Sequence, residues 1–533
     1  MNGTAMEIAA TASQSSDGIR KWWIAITLFL GTLSIGLSVT AVNVAIPTIM
    51  SSLGASLNRI QWVLTGFMIT RTVLIPSVGW LGDRMGDRNL FIASTTIFTA
   101  GSLLCSFSWN AESLIFFRII QAVGAGPLLG ISMAIMFEAF PRHERGLAMG
   151  LFMTGWSLGP FFGPLLGGYL TEHVHWRAIF YINLPTGVLS IISGYYLLPR
   201  MPAKSSTAPL DLLGLVTMTV ATVTLLLALN LGHEEGWGSR LIVCLFAASI
   251  VSFALFITVE LKSDHPFLEL RYFRDVNFSL SNFLIFFRVF GFRGASYLLT
   301  IFLQRGLNYT PTQAGIFLLP GAVITGLWSP LAGKLTDRLG PRIPIVGGLA
   351  ILIFALYGLS QLSLWSTVGF IFFFMCVKSV GQSSLNAPLN TVALAAIPEG
   401  RARMGSGMIG MTRGLGEAFS VAVLTFLLER YAFFNLYSIP PLQGAAFAES
   451  ERLHALSHIQ GLLIHAGQYG LALEERARSL LAHTLVNQAL TQAYQDLFFL
   501  IGVLHVGLLI IALFLRTKPP RYDVHPTEAP DNR

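Results

Sequence analysis

Apolar runs long enough to cross a bilayer recur along almost the whole chain, separated by short polar breaks. A membrane helix needs ~20 mostly apolar residues. Windows of that size predict fourteen helices, over 22–48, 60–82, 89–109, 113–138, 146–170, 178–198, 212–231, 240–260, 277–303, 312–334, 344–362, 366–393, 405–428 and 493–515. The breaks between them are of two kinds. One set carries Arg20/Lys21, Arg84/Arg88, Arg142/Arg145, Arg200/Lys204, Lys262/Arg271/Arg274, Arg338/Arg342, Arg401/Arg403 and Arg516/Lys518/Arg521. The other is poorer, with Glu112, Glu172, Glu234/Glu235 and one long stretch of mixed charge. Lys and Arg in short loops mark the cytoplasmic side, so both termini are expected there, and an even number of spans satisfies this. The first span follows a polar N-terminus without a clear cleavage site and reads as a helix rather than a signal peptide.

The 533 residues are 11% charged, against roughly 25% in soluble proteins, and the mean hydropathy is +0.64. So few charges cannot cover a water-facing surface, and an integral protein of the lipid bilayer, with inner-membrane topology, is expected. The net charge of +7 is spread thinly, which argues against nucleic acid as a partner. Cys105, Cys244 and Cys376 all fall inside apolar segments and suggest neither a disulfide framework nor a metal site. The spans show no His/Asp metal constellation; the one Gly-x-Ser-x-Gly stretch, Gly155 to Gly159, falls inside an apolar helical window rather than at a strand-to-helix nucleophile turn; and the one Gly-Lys pair, Gly333-Lys334, is followed by Leu335, so a phosphate-cradling loop is missing. Neither an enzyme nor an ATP-driven pump is expected, and no bound cofactor.

The chain also repeats itself. Gly79-x-Leu81-x-Asp83-Arg84-x-Gly86-x-Arg88 recurs as Gly333-x-Leu335-x-Asp337-Arg338-x-Gly340-x-Arg342, an offset of 254. Pro141 to Arg145 matches Pro398 to Ala402, and Gln121 to Gly124 matches Lys378 to Gly381, both at an offset of 257. The expected organisation is a tail 1–21, a six-helix half 22–200, two extra helices 205–262, a second six-helix half 275–516 with an outer loop 429–492, and a tail 517–533. Two parallel six-helix halves around a central cavity are the architecture of alternating-access transporters.

The loop motif between spans two and three resembles the signature of the major facilitator superfamily. With fourteen spans the chain is similar to the drug:proton antiporter branch of EmrB/QacA type over nearly its whole length. Val39 to Pro47 in span one, Trp62 to Phe67 in span two and Trp176 to Pro185 at span six carry the same resemblance. It implies an all-α membrane fold, export of small hydrophobic or amphipathic compounds, and a proton gradient as the energy source. Relatives of this type work with a periplasmic adaptor and an outer-membrane channel, and the long outer loop is one place an adaptor could dock, or a cap or spacer. A flippase or facilitator without proton coupling, and a non-transporting sensor on the same fold, are the rival readings.

Each motif has a physical rationale. Gly79 and Gly86, with Gly333 and Gly340, allow close approach and tight turns; Asp83, with Asp337 as its repeat counterpart, is expected near the start of span three, where the helix dipole favours a carboxylate; Arg84, Arg88, Arg338 and Arg342 are placed to pair with acids of neighbouring helices. The resemblance makes this motif a latch between halves, against the plainer reading of a topology anchor. Gly155, Gly159, Pro160, Gly163, Pro164 and Gly167 lie along span five, where glycines four apart admit another backbone. They resemble the antiporter motif. Arg118 lies inside span four, followed by Gln121; a charge there costs about 2.5–3.5 kcal/mol on insertion scales and needs a cavity or a partner. The resemblance sets it beside the proton path.

Two departures stand out. Span one of this branch carries an acid where this chain has Ser38, five residues before Asn43, and serine does not titrate usefully. An acid appears instead at Glu417, close to Arg413, making Glu417 the leading candidate for proton coupling; a buried ion pair with Arg413 or another arginine is the competing reading. The membrane also holds many cations, Arg71, Arg288, Arg293 and Lys378, and these together with Ser38, Asn43 and Gln121 are expected to line the substrate cavity. At 100° per residue, Asn282, Arg293, Ser296, Thr300 and Gln304 form one stripe, expected to line the cavity, with Arg288 about 140° away on a different contact. The cavity thus leans basic, and an anionic or zwitterionic amphipath is expected, unless Glu417, Glu138 and other acids neutralise the arginines.

Overall fold

The computed structural model describes residues 2–199, 211–264, 266–398, 400–438, 453, 456–460 and 473–515. Its long elements are α1 Asn2–Leu53, α2 Leu57–Leu74, α3 Val78–Met85, α4 Asp87–Ser106, α5 Ala111–Ala139, α6 Arg145–His173, α7 Ala178–Tyr181 and α8 Asn183–Leu197, then α9 Leu212–Glu235 and α10 Arg240–Lys262. The second half follows as α11 Val276–Ile301, α12 Pro311–Leu339, α13 Arg342–Leu359, α14 Val368–Ala395, α15 Ala402–Ser438 and α16 Leu473–Ala512. Thirteen spans are long and apolar enough to cross a membrane among the described residues, with α2 and α3 counting as one and α7 and α8 as another. The 29-residue α6 makes the fourteenth.

Local chemistry fixes where these helices begin and end. Asn110 and Ser113 form a capping box at the start of α5, and Thr310 and Gln313 form another at α12. Asp211, Ser239, Asp275 and Thr367 each accept a backbone N–H at the start of α9, α10, α11 and α14. Such caps contribute typically ~1 kcal/mol each. Gly86 and Gly340, at matching places in the repeat, adopt φ values of 78° and 79°, which side-chain-bearing residues rarely adopt. Span two is interrupted at Ile75–Ser77, where Pro76 lacks the N–H a continuous helix would use.

Three boundaries differ from the sequence expectation, the first being that α1 already begins at Asn2, so the expected tail 1–21 is helical from there on. Helix α15 continues to Ser438 and α16 begins at Leu473, so both ends of the expected loop 429–492 are helical. An apolar window stops where the membrane stops, whereas the Leu-, Glu- and Ala-rich flanks keep helix propensity beyond it. Most of the middle of that loop, and the tail 517–533, lie outside the described residues.

The halves meet through equivalent helices of the repeat. In the first half α6 packs along α1, and α4 packs on α5; in the second, α15 packs on α11, and α13 on α14. Between halves, α6 packs on α12, and α15 on α3 and α5. The inserted pair is not symmetric about this seam. Helix α9 packs on both α2 and α15, with α10 behind it. Leu226 and Leu229 of α9 are buried with Ile69 and Val73 of α2 and Ala418 and Ala422 of α15.

Candidate functional site

At the face bearing the repeated loop motifs, the halves are closed against each other by two related contacts. Asp337, in α12, accepts hydrogen bonds from the backbone N–H groups of Gly146 (2.7 Å) and Leu147 (2.8 Å), in the first turn of α6. A carboxylate on free N–H groups at a helix N-terminus is a favourable anion site. In the repeat-equivalent place, Asp83 faces Arg403 near the start of α15, at 3.4 Å, and Asp87 lies 3.2 Å from the same guanidinium. The glycines allow this closeness. A Cβ added to Gly333 would lie 2.9 Å from the Leu147 Cα, and one on Gly79 3.3 Å from the Met404 Cα.

This geometry corrects part of the sequence picture. Asp83 lies near the end of α3, and Asp87 is the acid in the first turn of α4. Arg84 and Arg88 stack over the rings of Trp80 (5.4 Å) and Tyr195 (4.5 Å). Arg338 is exposed, and Arg342 donates to the carbonyl of Leu513 (3.2 Å). The cation that meets the motif acids is Arg403, which a topology reading counts only as a loop charge. Its signal was in the repeat: at the offset of 257, Arg403 is the counterpart of Gly146.

Along α6 the glycines of the stretch that resembles the antiporter motif face α1. Gly155 packs at Thr32 and Phe29, Gly159 at Gly36, Gly163 at Thr40 and Gly167 at Ala41, and Thr40 donates to the carbonyl of Gly159 (2.8 Å). The side chains of Pro160 and Pro164 lie outside the described residues. Nearer the motif face, the same helix turns Gly146, Gly150 and Thr154 toward α12, with Thr154 donating to the carbonyl of Gly326 (2.9 Å).

Between these contacts lies a cavity of about 240 Å³, lined by α6, α11, α12, α14 and α15. Its charged lining is Arg288, Arg293, Lys378, Arg413 and Glu417. Glu417 accepts from Arg293 (3.1 Å) and from Arg71 of α2 (3.3 Å), so its carboxylate ties the two halves together. Arg71 also stacks on Trp156 in the cavity wall, at 5.3 Å. Of the arginines that could pair with Glu417, Arg71 and Arg293 make the contact, while Arg413 donates to Asn390 (3.2 Å). Arg288 donates to Asn386 (2.6 Å), and Lys378 donates to Ser296 (2.8 Å) while lying over the Phe292 ring. Three buried cations therefore have neutral hydrogen-bond partners, while the carboxylate of the cavity is already held by two arginines.

Other expected cavity residues lie elsewhere. Of the α11 stripe, Arg293 and Ser296 line the cavity; Asn282 is buried against Thr412 (3.1 Å), and Thr300 bonds back to the Ser296 carbonyl (2.8 Å). Arg288, assigned by helical angle to a different contact, lines the same cavity as Arg293. Asn43 is exposed on α1. Ser38 and Gln121 form a separate buried cluster with Arg118, which donates to Ser38 (2.9 Å), Gln121 (2.7 Å) and the carbonyl of Val63 (3.3 Å) and lies 4.1 Å from the Phe67 ring centroid. The serine thus occupies the partner position of this arginine. Asn386, Asn390, Trp156 and Phe292 were not singled out by sequence, because polar and aromatic residues in membrane helices are too common to mark a site without the helix crossings.

Comparison with known proteins agrees with this architecture. The Major Facilitator Superfamily profile matches residues 28–421. The multidrug export protein EmrB of Haemophilus influenzae is 28% identical over 93% of this chain and 96% of its own length. The fatty acid resistance protein FarB of Neisseria gonorrhoeae is 27% identical over 93% of this chain and 96% of its own. The crystal structure of the human organic anion transporter MFSD10 superimposes with a TM-score of 0.58, covering 91% of this chain and 99% of that one at 13% identity, a likeness of fold. The chain is a multi-pass membrane transporter belonging to the Major Facilitator Superfamily, in its fourteen-helix EmrB-like branch.

Proposed function

We propose that this transporter exports amphipathic compounds by alternating access and that its cavity receives an anionic or zwitterionic head group. The observation that carries the reading is the set of three buried cations, Arg288, Lys378 and Arg413, whose hydrogen-bond partners are neutral. Burying charges is costly; Glu417 is the one carboxylate among the lining residues and is already held by Arg71 and Arg293, so an incoming anion adds counter-charge to a cavity in which cations outnumber it. Met153, Trp156, Phe292, Leu318 and Met375 give the same cavity an apolar wall for the rest of the molecule. The name of FarB, a fatty acid resistance protein, is consistent with a head group of this charge.

In this reading the motif face is cytoplasmic, both termini lie on that side of a bacterial inner membrane, and the described conformation is closed to the cytoplasm. Glu417 is the coupling carboxylate: it lines the cavity, bridges the halves through Arg71, and releases two arginines when it takes up a proton. The ends of α15 and α16 project outward and offer a place for a periplasmic adaptor leading to an outer-membrane channel. A second reading follows from Ser38, which leaves Arg118 with uncharged partners. An anion leaving an inside-negative cell moves down a potential worth ~2.3 kcal/mol per charge per 100 mV, so export without proton coupling is energetically possible. Uptake into inverted proteoliposomes separates the two. Proton-coupled export requires that Glu417→Gln abolish the dependence of anion transport on the pH gradient. An unchanged dependence in that variant removes Glu417 from the coupling, and loss of anion preference in Lys378→Met and Arg288→Met tests the head-group assignment.

A further inference from the structure

The two lateral seams between the halves are not equivalent, although the repeat would make them so. The seam of α2 with α15 is closed at its cytoplasmic end by direct contact: a Cβ on Gly407 would lie 3.1 Å from the Pro76 Cα, and Gly410 and Gly414 pack on Ile75 and Thr72. Farther out it is covered by the insert. Leu226 and Leu229 fill the gap between Ile69 and Val73 on one side and Ala418 and Ala422 on the other. Beyond them Trp237 meets Phe426 at a ring separation of 5.8 Å, and His233 lies 3.4 Å from Glu429.

The pseudo-symmetric seam of α6 with α12 is likewise closed at its cytoplasmic end, from Gly146 against Gly333 to Leu158 against Gly326. There the inserted helices are absent, since α9 packs on α2 and α15, and α10 packs on α9. The cavity lies at this seam: Trp156 and Ser157 of α6 face Gly315, Leu318 and Ala322 of α12 across it. These α12 residues are half-buried, and a Cβ added to Gly315 would meet no atom within 4 Å.

We propose that the seam of α6 with α12 is a lateral portal through which the apolar part of an amphipath passes between the cavity and the bilayer, and that α9 seals the matching seam of α2 with α15. The proposal rests on the export reading for what travels. The physical reason for a lateral path is the cost of the alternative. Drawing an alkyl tail through water costs about 0.8 kcal/mol per CH₂, so ten methylenes cost roughly 8 kcal/mol. A slot lined by Leu318, Ala322 and Trp156 keeps the tail in apolar surroundings while the head group stays at the buried cations.

The test reads access alone, without any transported compound. In a background with Cys105, Cys244 and Cys376 replaced by serine, Gly315→Cys and Ser157→Cys report the portal, and Ile69→Cys and Ala422→Cys report the sealed seam. Each variant, in nanodiscs, is treated with a bilayer-partitioned pyrenyl maleimide and with a membrane-impermeant sulfonated one. The portal variants are expected to react with the lipid-phase reagent at least ten times faster than the seam variants, and Leu226→Ala/Leu229→Ala is expected to raise the seam rates. Where that pair fails to fold, Trp237→Ala serves the same purpose at the outer end. Equal lipid-phase rates at both seams overturn the proposal, as does a portal that reacts only with the aqueous reagent. A failure of anion selectivity with these labelling rates intact would instead contradict the head-group assignment and leave the portal standing.

Discussion

Replacing Asp337 perturbs the closed, motif-bearing face at one well-defined contact. Its carboxylate accepts two backbone hydrogen bonds across the halves, at 2.7 and 2.8 Å, from the first turn of α6. Hydrogen bonds to a charged group contribute ~1.5–3 kcal/mol each, and a negative charge at a helix N-terminus adds about 0.3–1 kcal/mol. Asp337→Asn keeps one acceptor oxygen and loses the charge and one of the bonds. The expected cost to the state closed at the motif face is therefore roughly 2–3 kcal/mol, or a ~30- to 150-fold shift in the closed-to-open ratio. A closed state favoured tenfold would become the minor state. Spin labels on His143→Cys and Leu339→Cys, both exposed on the motif-bearing face, report the separation of the halves by double electron–electron resonance in nanodiscs. The long-distance population should become dominant in Asp337→Asn. A distance distribution identical to that of the parent, in a variant that remains folded, would refute the claim that this contact holds the halves together.

Other outcomes follow from the same geometry. Arg403→Gln removes the contacts to both Asp83 and Asp87 and should also populate the open form, whereas Asp83→Asn, which leaves Asp87 in place, should do so less; the same labels measure both. A Cβ at Gly159 would collide with the Gly36 backbone, while one at Gly168 finds its nearest atom at 3.9 Å. Gly159→Ala should therefore destabilise the protein by ~1–3 kcal/mol and lower the melting temperature, and Gly168→Ala should leave it unchanged. Ser38→Asp sets a carboxylate beside Arg118 and is expected to raise the melting temperature and to add a pH-dependent component to transport. Glu417→Gln frees Arg71 and Arg293 and should tighten the binding of anions by about tenfold, whereas Lys378→Met should weaken it by roughly 10- to 100-fold, both read by calorimetry.

Much of the fold is legible in the chain, and the reason is the bilayer. Because each span must satisfy its backbone internally, fourteen apolar windows mark the helices, and the offsets of 254 and 257 identify the two halves. The charges inside the spans were equally visible, because each is expensive there: Arg71, Arg118, Arg288, Arg293, Lys378, Arg413 and Glu417 all mark buried polar contacts. What they touch was not visible. The pairing of Glu417 with Arg71 joins residues 346 positions apart, through a crossing of α2 and α15 that no local pattern encodes. Helical angles alone put Thr300 into the cavity and set Arg288 apart from Arg293, although both of these arginines line it, because angle on an isolated helix says nothing of which neighbours cover each face. The role of the insert was also hidden, since Leu226 and Leu229 are ordinary membrane residues until α2 and α15 are set against them.

The account turns on the cations of the cavity, and direct binding to the unmodified protein tests it best. A naphthyl sulfonate and the naphthyl trimethylammonium of the same skeleton differ in little but the sign of the head group, and titration calorimetry in nanodiscs compares them after subtraction of partitioning into empty discs. The sulfonate should bind at least ten times more tightly than the ammonium compound, with its affinity reduced in Lys378→Met. Equal affinities, or a preference for the ammonium compound, would contradict the assignment of this cavity to anionic head groups.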